Sequence, residues 1–338
     1  MIDLATWLPD VPAAVAGRIR VARRVLAVGH ENPDADAIGA SLAVAAIVRE
    51  LGGAATVAFS DPIPDLYRFL PGIGEIVTDP DPAWPYDLLV VSDCAGLERV
   101  GSLAERHGER IAALPRLILD HHASTTEIAS SDWVDASAAA TCEMITLLAI
   151  RLDVPLTADG GRLAEALMAG IVMDTATFAH PNATPRTLAV AAALVDAGAG
   201  LSDISRRLYR TKPTRQLQLF GLVLGRMSTA AGGRIVHSTL LEMDLAATGT
   251  VSSHSEGIID LLSQAEEADV ALLFKETGGV TRVSVRTRPG GVDATALTGA
   301  FGGGGHARAA GATVELPVED ARRLVLAEAE RLARRLDG

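Results

Sequence analysis

The distribution of apolar and polar positions predicts a chain in which strands alternate with helices. Apolar runs of strand length occur at four places in the first 205 residues: 25–30, 55–59, 88–93 and 117–121. Helical patterns precede, separate or follow these runs: 1–24, 38–51, 96–107, 137–152, 160–171 and 184–198. Such alternation is typical of a mainly parallel sheet flanked by helices. The first part of the chain is therefore predicted to be an α/β domain.

The pattern changes after residue 205. The segment 206–218 contains five basic residues and no acid, and we predict a linker there. Beyond the linker, short strand-like runs and helical patterns continue. The predicted strands are 235–241, 270–276, 280–287 and 311–316, and the predicted helices are 255–266 and 318–336. These elements indicate a smaller α/β domain at 219–338 that follows a larger domain at 1–205.

Composition and charge narrow the classes of function. The formal net charge is −12, and an acidic chain is a poor general binder of long duplex nucleic acid. No apolar run approaches the roughly 18 residues of a membrane helix, and we expect neither a membrane partner nor a signal peptide. Cys94 and Cys142 form no CxxC pair, which favours a reducing, cytoplasmic location. A small phosphorylated substrate remains compatible with this charge if metal ions supply positive charge.

Four separate apolar segments end in carboxylate or imidazole side chains. The residues at or just after these ends are His30, Asp34, Asp36, Asp93, Asp120, His121, His122 and Asp174. Open parallel sheets hold ligands at the carboxyl ends of their strands, so these side chains are candidates for one site. For the first segment alone, the alternative is a polar turn in which Asp36 caps a helix. Four such endings in one chain favour the shared site.

The donor types point to metal ions that prefer oxygen. Carboxylates with some imidazole suit Mn²⁺ or Mg²⁺ better than a metal that seeks thiolates. Asp34, Asp36, Asp93 and Asp174 carry four negative charges, which two divalent cations would neutralise. Because Asp34 and Asp36 stand two positions apart, an extended loop would point them in opposite directions, each toward a different ion. Asp93 would then bridge the two ions.

Two such ions suit an in-line displacement at phosphorus by an activated water. His122 is the natural group to contact the phosphate or the leaving oxygen, and Asp120 is expected to orient its neighbours by hydrogen bonds. For Asp120 the alternative is a simple acid at the end of a strand. Arg99, shortly after Asp93, is a candidate phosphate contact, and an ion pair with Glu98 is its alternative.

A glycine cluster at 302–305 supplies a second candidate site. Backbone N–H groups of glycines approach an anion without obstruction by a Cβ atom, as in phosphate nests. His306 and Arg308 follow the cluster, and Arg286 lies on a nearby candidate strand. The alternative is a flexible glycine loop with solvated arginines.

Taken together, these motifs resemble the DHH family of phosphoesterases, which is named after a motif like residues 120–122. The spacing of the ligand candidates in 30–36 looks like the first motif of that family, Asp93 like the second, and 170–175 like the fourth. Residues 303–312 are similar to the signature of the associated DHHA1 domain. The length and the two-domain layout most resemble the nanoRNase (oligoribonuclease)/pAp phosphatase branch.

The resemblance implies a DHH catalytic domain, a DHHA1 substrate-binding domain and an active-site cleft between them. It implies two Mn²⁺ ions, with Mg²⁺ or another divalent cation as the alternative. One ion is implied on His30, Asp34 and Asp93. The other is implied on Asp36, Asp93, His121 and Asp174. His122 is implied beside the scissile phosphate, and the implied substrate contacts are Arg286, Gly303, Gly304, Gly305, His306 and Arg308.

The branch also implies an activity. Its members hydrolyse short oligoribonucleotides, including linear di-adenylate, to mononucleotides, and convert 3′-phosphoadenosine 5′-phosphate (pAp) to AMP; some relatives hydrolyse cyclic di-adenylate. Three alternatives stay open: a soluble inorganic pyrophosphatase, a single-strand exonuclease and a catalytically silent nucleotide sensor. Ala35 and the run 173–176 depart from the family pattern, but neither departure removes a metal ligand. The run 173–176 affects the expected shape of the pocket, and so the substrate preference more than catalysis. The oligomeric state, including a homodimer, stays open.

Overall fold

The computed structural model describes residues 4–81, 83–122, 125, 129 and 131–335. The chain divides into two compact units, Met1–Thr211 and Lys212–Gly338, called here the N-terminal and C-terminal units. The division falls between a π-helical turn, Arg206–Arg210, and a helix, Thr214–Leu224. Most of the segment 206–218 is therefore helical rather than irregular.

The N-terminal unit contains a five-stranded parallel sheet. Its strands are β1 (Arg24–Val28), β2 (Ala54–Ala58), β3 (Leu88–Ser92), β4 (Arg116–Asp120) and β5 (Trp133–Val134), in the spatial order β2-β1-β3-β4-β5. All four pairings are parallel. The central strands are apolar on both faces because helices cover the sheet on both sides. The sequence-based prediction of a mainly parallel sheet is confirmed.

Seven helices belong to the described part of this unit. They are α1 (Ala13–Val21), α2 (Ala35–Glu50), α3 (Ser102–Ala113), α4 (Thr141–Arg151), α5 (Arg162–Asp174), α6 (Pro185–Asp196) and α7 (Leu201–Ser205). Helix α2 is buried from Ala35 to Val48 and packs closely on α5. Small residues allow this close approach, because a Cβ on Gly39 would lie 2.4 Å from the carbonyl oxygen of Ala166.

Substitution of Gly39 by alanine is expected to lower the free energy of unfolding by about 1–3 kcal/mol, since the added methyl overlaps a backbone oxygen that cannot move freely. The matched control is Gly108→Ala within α3, where an added Cβ meets nothing within 4 Å. That change should stabilise the chain by roughly 0.5–1 kcal/mol through helix propensity. Urea unfolding of both variants measures the difference, and equal midpoints would contradict the close-packing argument.

The C-terminal unit contains a six-stranded mixed sheet. Its strands are β6 (Ser228–Ala230), β7 (Ile235–Leu240), β8 (Val270–Thr277), β9 (Val280–Thr287), β10 (Gly304–His306) and β11 (Ala309–Val314), in the order β10-β11-β9-β8-β7-β6. Only β7 and β8 pair in parallel. The helices are α8 (Thr214–Leu224), α9 (Glu242–Thr248), α10 (Ile258–Leu262), α11 (Ala294–Gly299) and α12 (Val318–Arg334). Helices α11 and α12 pack on one face of the sheet, and α8 and α10 pack on part of the other.

Several sequence-based element boundaries need correction. Strand β1 ends at Val28, so His30 lies in the following loop rather than in the strand. The helix expected at 96–107 is a 3₁₀ turn, Leu97–Arg99, followed by α3, because Gly101 has a positive φ of 70° that breaks the helix. The glycine cluster is not a simple loop, since Gly304 to His306 form β10 and pair with β11.

Among the described residues, no single helix is both long enough and apolar enough to cross a bilayer. One pair, Pro185–Asp196 with Leu201–Arg210, meets the criteria of length and composition only jointly, and is bent by 113°.

Candidate metal centre

The parallel sheet of the N-terminal unit gathers most of the candidate ligands at one edge. Strands β1, β3 and β4 are neighbours and run in the same direction, so their carboxyl ends lie side by side. His30 follows β1 by two residues, Asp93 follows β3 directly, and Asp120 is the last residue of β4. His121 and His122 continue from that last strand. The topology thus explains why residues distant in sequence meet at one site.

Three groups of potential ligand atoms lie at this edge: His30, Asp34 and Asp93; Asp36, His121 and Asp174; and Asp93, His121 and His122. The first two share no residue. In the first group, the Nε2 atom of His30 lies 3.8 Å from Oδ1 of Asp34 and 3.6 Å from Oδ2 of Asp93. In the second, Nε2 of His121 lies 3.1 Å from Oδ2 of Asp174 and 4.0 Å from Oδ2 of Asp36. Within each group the potential ligand atoms lie within 4.8 Å of one another. Such groups match the size of a metal coordination sphere.

Asp93 touches both groups. Its Oδ2 atom faces His30, and its Oδ1 atom lies 3.4 Å from Nε2 of His121. The side chain is only 2% exposed, and the backbone adopts a left-handed φ of 57°. Aspartate tolerates that conformation better than most side chains do. The carboxylate therefore stands where a single group can face two ligand sets.

Both histidines present the same ring nitrogen to the site. His30 donates from Nδ1 to the carbonyl of Glu31 at 2.7 Å, and His121 from Nδ1 to the carbonyl of Ala138 at 3.3 Å. These bonds leave the Nε2 atoms facing the carboxylates, where each can bind a cation once the ring has lost its second proton. Backbone partners of this kind fix the orientation of metal-binding histidines.

Asp34 and Asp36 are separated by a helix start, not by an extended loop, which corrects the sequence-based explanation. Asp34 is the N-cap of α2 and accepts the N–H groups of Asp36 and Ala37. Asp36 is fully buried in the first turn and accepts the N–H groups of Thr141 and Cys142 at 2.7 and 2.9 Å. The first turn of the helix sends the two carboxylates to different groups.

The electrostatics of the site show a shortage of positive charge. Burial raises the pKa of Asp36 well above its usual value, and burial together with neighbouring carboxylates raises that of Asp174 to about 6. Burial alone would lower the pKa of both histidines, but ion pairs with the carboxylates raise it to about 10 for His30 and about 11 for His121. Burial would also raise the pKa of Asp93, yet hydrogen bonds from the two histidines hold it well below its ordinary value.

These donors fit divalent cations of the hard or borderline class. The set consists of carboxylate oxygens and imidazole nitrogens, with no thiolate in either group. Two divalent cations would balance the charge of the four carboxylates, and they would favour the ionised forms of Asp36 and Asp174, whose pKa values burial raises. His30, Asp34 and Asp93 would hold one ion, and Asp36, His121, Asp174 and the other oxygen of Asp93 would hold the second.

His122 stands beside the metal groups with a different orientation. Its Nδ1 atom donates to Oδ1 of Asp120 at 2.8 Å, and Thr125 donates to the other oxygen of Asp120. The carboxylate of Asp120 raises the pKa of His122 above its ordinary value. The His122 side chain is 41% exposed, so its Nε2–H can reach a bound substrate. Asp120, which is fully buried, acts by holding this imidazole in place.

The segment Ala138–Cys142, which the sequence analysis assigned to a helix but to no site, supports the second ligand group; the helix begins only at Thr141. The segment supplies the carbonyl that orients His121 and the two N–H groups that hold Asp36. Thr141 also donates its hydroxyl to Oδ1 of Asp93 at 3.1 Å. These residues are small and belong to no recognisable motif, so only the fold reveals their role.

The same segment is fixed from its other side by a buried ion pair. Arg186 donates to Glu143 at 2.5 Å and contacts Asp135 at 2.9 Å. Glu143 is fully buried and accepts the N–H of Ala139. The arginine and the glutamate are 43 positions apart, and no spacing rule connects them. This pair therefore holds the loop that positions the ligands.

Substitution of Thr141 by valine is expected to weaken metal binding about tenfold, in line with residues that only orient a ligand. Valine keeps the β-branched shape and the backbone N–H that holds Asp36, and loses only the hydroxyl that contacts Asp93. The matched control is Thr146→Val, in the same helix and equally buried, whose hydroxyl bonds the carbonyl of Cys142. Calorimetric titration with Mn²⁺ compares the two, and equal affinities would contradict the role of Thr141.

The candidate substrate contacts fall in both units. Arg99 is exposed in the 3₁₀ turn of the N-terminal unit, where its carbonyl accepts the N–H of Glu31, the neighbour of His30. In the C-terminal unit, Arg286 in β9 pairs in register with Ala309 of β11 and forms an ion pair with Asp260. The remaining candidates border the β10–β11 hairpin and are largely exposed: Gly303, Gly304, Gly305, His306 and Arg308.

Comparisons with known proteins agree with this geometry. Residues 24–171 match the DHH family, N-terminal domain, and residues 232–335 match the DHHA1 domain. The chain is 33% identical to the bifunctional oligoribonuclease and PAP phosphatase NrnA of Thermus thermophilus, over 90% of this chain and 87% of that protein. It is 28% identical to the protein of the same name from Bacillus subtilis, over 84% of this chain and 87% of that protein. An exopolyphosphatase-related protein from Bacteroides fragilis shares the fold, with a TM-score of 0.85 at 21% identity, covering 96% and 98% of the chains.

Proposed function

The chain belongs to the DHH family of metal-dependent phosphoesterases, and from this premise we propose that it hydrolyses short oligoribonucleotides to mononucleotides and pAp to AMP. The observation that carries the proposal is the pair of ligand groups joined by Asp93. We propose two Mn²⁺ ions as the resident cations. Two relatives that match most of the chain are named as oligoribonucleases and PAP phosphatases, which supports this choice of substrates.

When bound, divalent cations supply Lewis-acid activation and neutralise the charge on the reacting phosphate. The side chains of the chain provide the rest of the proposed mechanism. The carboxylates and the Nε2 atoms of His30 and His121 fix the positions of positive charge. His122, whose pKa the hydrogen bond to Asp120 raises, is the proposed proton donor: its Nε2–H would face the phosphate and give its proton to the leaving oxygen. After the bond breaks, Asp120 stabilises the ring in the orientation needed to regain a proton.

The C-terminal unit supports nucleotide-bearing substrates. Its exposed hairpin at Gly304–His306 offers backbone N–H groups without side-chain obstruction, and Arg286 lies two strands away in register. An arginine and a glycine-lined strand suit the phosphate and sugar groups of a nucleotide. We therefore propose that this surface selects short nucleotides over inorganic pyrophosphate.

A substrate panel tests the proposal. The purified chain is incubated with Mn²⁺ and pAp, di-, tri- and tetra-adenylate, a 20-mer, cyclic di-adenylate or pyrophosphate. Release of AMP from pAp and from the short oligomers, abolished by EDTA, is expected. Faster hydrolysis of pyrophosphate, or equal rates on the 20-mer and the dimer, would overturn the assignment in favour of a pyrophosphatase or an exonuclease. Nucleotide binding without hydrolysis would indicate a sensor.

The His122→Asn variant tests the proposed proton donor within the same panel. Its turnover of pAp should fall by about 10²–10⁴-fold, the usual contribution of general acid–base catalysis, while Mn²⁺ affinity changes little.

We also propose a cytoplasmic location, supported by two free, buried cysteines, Cys94 and Cys142.

A further inference from the structure

One face of the sheet in the C-terminal unit is covered only in part. Helices α8 and α10 pack against Val236, Leu240, Ala271 and Leu273 on β7 and β8. On the same face, strands β9, β11 and β10 present side chains to solvent. Arg282, Gly311, Thr313, Gly304 and His306 are exposed there, while Val283, Val285 and Val314 point into the opposite core. The uncovered strands form a flat surface, called here the open face.

Residues of the open face fall into rows that cross the strands. In one row, Arg286 of β9 stands opposite Ala309, which pairs with His306. On β9, β11 and β10 the middle row contains only small residues, Ser284, Gly311 and Gly304, and on β8 it ends at Leu273, which belongs to the core under α8 and α10. A third row, which no sequence motif indicated, contains Lys275 of β8, Arg282 of β9 and Thr313 of β11.

The third row places two cations directly opposite each other. Lys275 and Arg282 are register partners in an antiparallel pair, where like charges are destabilising. Neither forms an ion pair with a carboxylate in the part of the chain that the structure describes. Partial burial lowers the pKa of Lys275, the charge of Arg282 lowers it further, and Glu256 only partly opposes this. The row therefore brings together two cationic side chains that no ion pair with a carboxylate engages among the described residues.

We propose that Lys275, Arg282 and Thr313 form a second phosphate-binding site, which takes a backbone phosphate of an oligonucleotide whose other end reaches the row of Arg286 and His306. This inference rests on the proposed function. Two cationic side chains with a hydroxyl beside them match the groups that proteins commonly use for phosphate contacts. The small residues of the middle row leave room for sugar and base.

The distance between the two basic rows determines which substrates can contact both of them. Four residues along β9 separate Arg282 from Arg286, which corresponds to about 13 Å in a strand. A mononucleotide such as pAp is too short to contact both rows, whereas an oligonucleotide of three or four residues reaches across. The site therefore increases affinity with chain length and leaves pAp unaffected.

The double variant Lys275→Gln/Arg282→Gln tests the site against substrates of increasing length. Its KM for tetra-adenylate should rise about 5–20-fold. The slope of the logarithm of tetra-adenylate affinity against the logarithm of salt concentration should become shallower by about the amount that one phosphate contact contributes. KM and kcat for pAp should stay within about twofold of the wild type, since pAp does not reach this row. The single variant Arg282→Lys, which keeps the charge, should retain most of the affinity.

Arg323→Gln is the matched control, because Arg323 lies on α12, against the opposite face of the sheet, with its side chain 76% exposed. It should behave as the wild type. Binding of fluorescent tetra-adenylate in EDTA gives a readout without catalysis. If the double variant loses affinity equally for pAp and tetra-adenylate, or loses affinity for neither, the proposed second phosphate site is wrong. If the wild type hydrolyses neither substrate but the double variant still loses affinity for tetra-adenylate, the proposed function fails and the site stands.

Discussion

Substitution of Asp93 by asparagine is expected to lower the hydrolysis of pAp by about 10³-fold or more, because loss of a residue that merely orients a metal ligand already costs 10–100-fold. Asp93 faces His30 with one oxygen and His121 with the other, and no other carboxylate of the site contacts both histidines among the described residues. The variant removes the charge common to both groups. Calorimetric titration should show Mn²⁺ binding weakened at both sites, in parallel with the lost turnover.

Asparagine isolates the effect of charge. It adopts the left-handed backbone at position 93, where φ is 57°, as readily as aspartate does, so the loop should keep its shape. The control is Asp244→Asn in the C-terminal unit, because Asp244 is equally buried and is bound by Arg226. Its turnover should match the wild type apart from any change in stability. Retention of more than a tenth of the activity by Asp93→Asn would contradict the bridging role.

The sequence predicted the site best where ligand-type residues follow the ends of predicted parallel strands. The alternation of strands with helices predicted the parallel sheet, and its order brings the ends of β1, β3 and β4 together. The prediction that His30, Asp93 and His121 lie near one another follows from that sheet, and the structure places them in adjoining groups. Asp174 arrives at the same site from the end of a helix, α5, rather than from a strand.

Short elements and supporting contacts could not be predicted in the same way. Strand β5 has two residues, too few for any periodicity, and β10 consists of Gly304, Gly305 and His306, a sequence typical of a turn. Both exist because a neighbouring strand supplies hydrogen bonds. The Arg186–Glu143 pair joins positions 43 residues apart in the chain, and no sequence pattern relates them.

Glycine explains why the site can be so compact. A Cβ on Gly170 would lie 2.4 Å from Oδ1 of Asp36 and 2.5 Å from the sulfur of Cys142. The sequence showed Gly170 as part of a motif, but gave no physical reason for its presence. The structure supplies that reason, since helix α5 must approach α2 closely for Asp174 and Asp36 to face one another.

The pKa values of the two histidines determine how stability depends on pH without metal. Both are raised above the ordinary value of 6.5, to about 10 for His30 and about 11 for His121, despite burial, because carboxylates face them. Their contribution to stability is therefore complete below about pH 6.5 and is lost as the pH rises through 10 to 11. Asp93, whose pKa is lowered, contributes above its ordinary pKa and loses that contribution in acid.

Metal binding should consequently release protons and tighten as the pH rises. A histidine must lose its proton before Nε2 can bind a cation, and at neutral pH both His30 and His121 are protonated in the metal-free chain. Between pH 6 and 8 the apparent Kd of the first ion should fall about tenfold per pH unit, because one proton is displaced from His30, and that of the second ion should fall at least as steeply, because Asp36 as well as His121 has a raised pKa. Below pH 6 the dependence should steepen for the second ion, because Asp174, with a pKa near 6, must also ionise.

Calorimetric titration with Mn²⁺ at pH 6, 7 and 8, in two buffers of different ionisation enthalpy, measures both affinity and proton release. A His30→Gln variant should lose the proton released with the first ion and keep the release that accompanies the second, since His121 belongs to the other ligand group. Affinities that do not change with pH would mean that the histidines are neutral before the metal arrives. In that case the ion pairs of His30 with Asp93 and of His121 with Asp174 would not control access to the site.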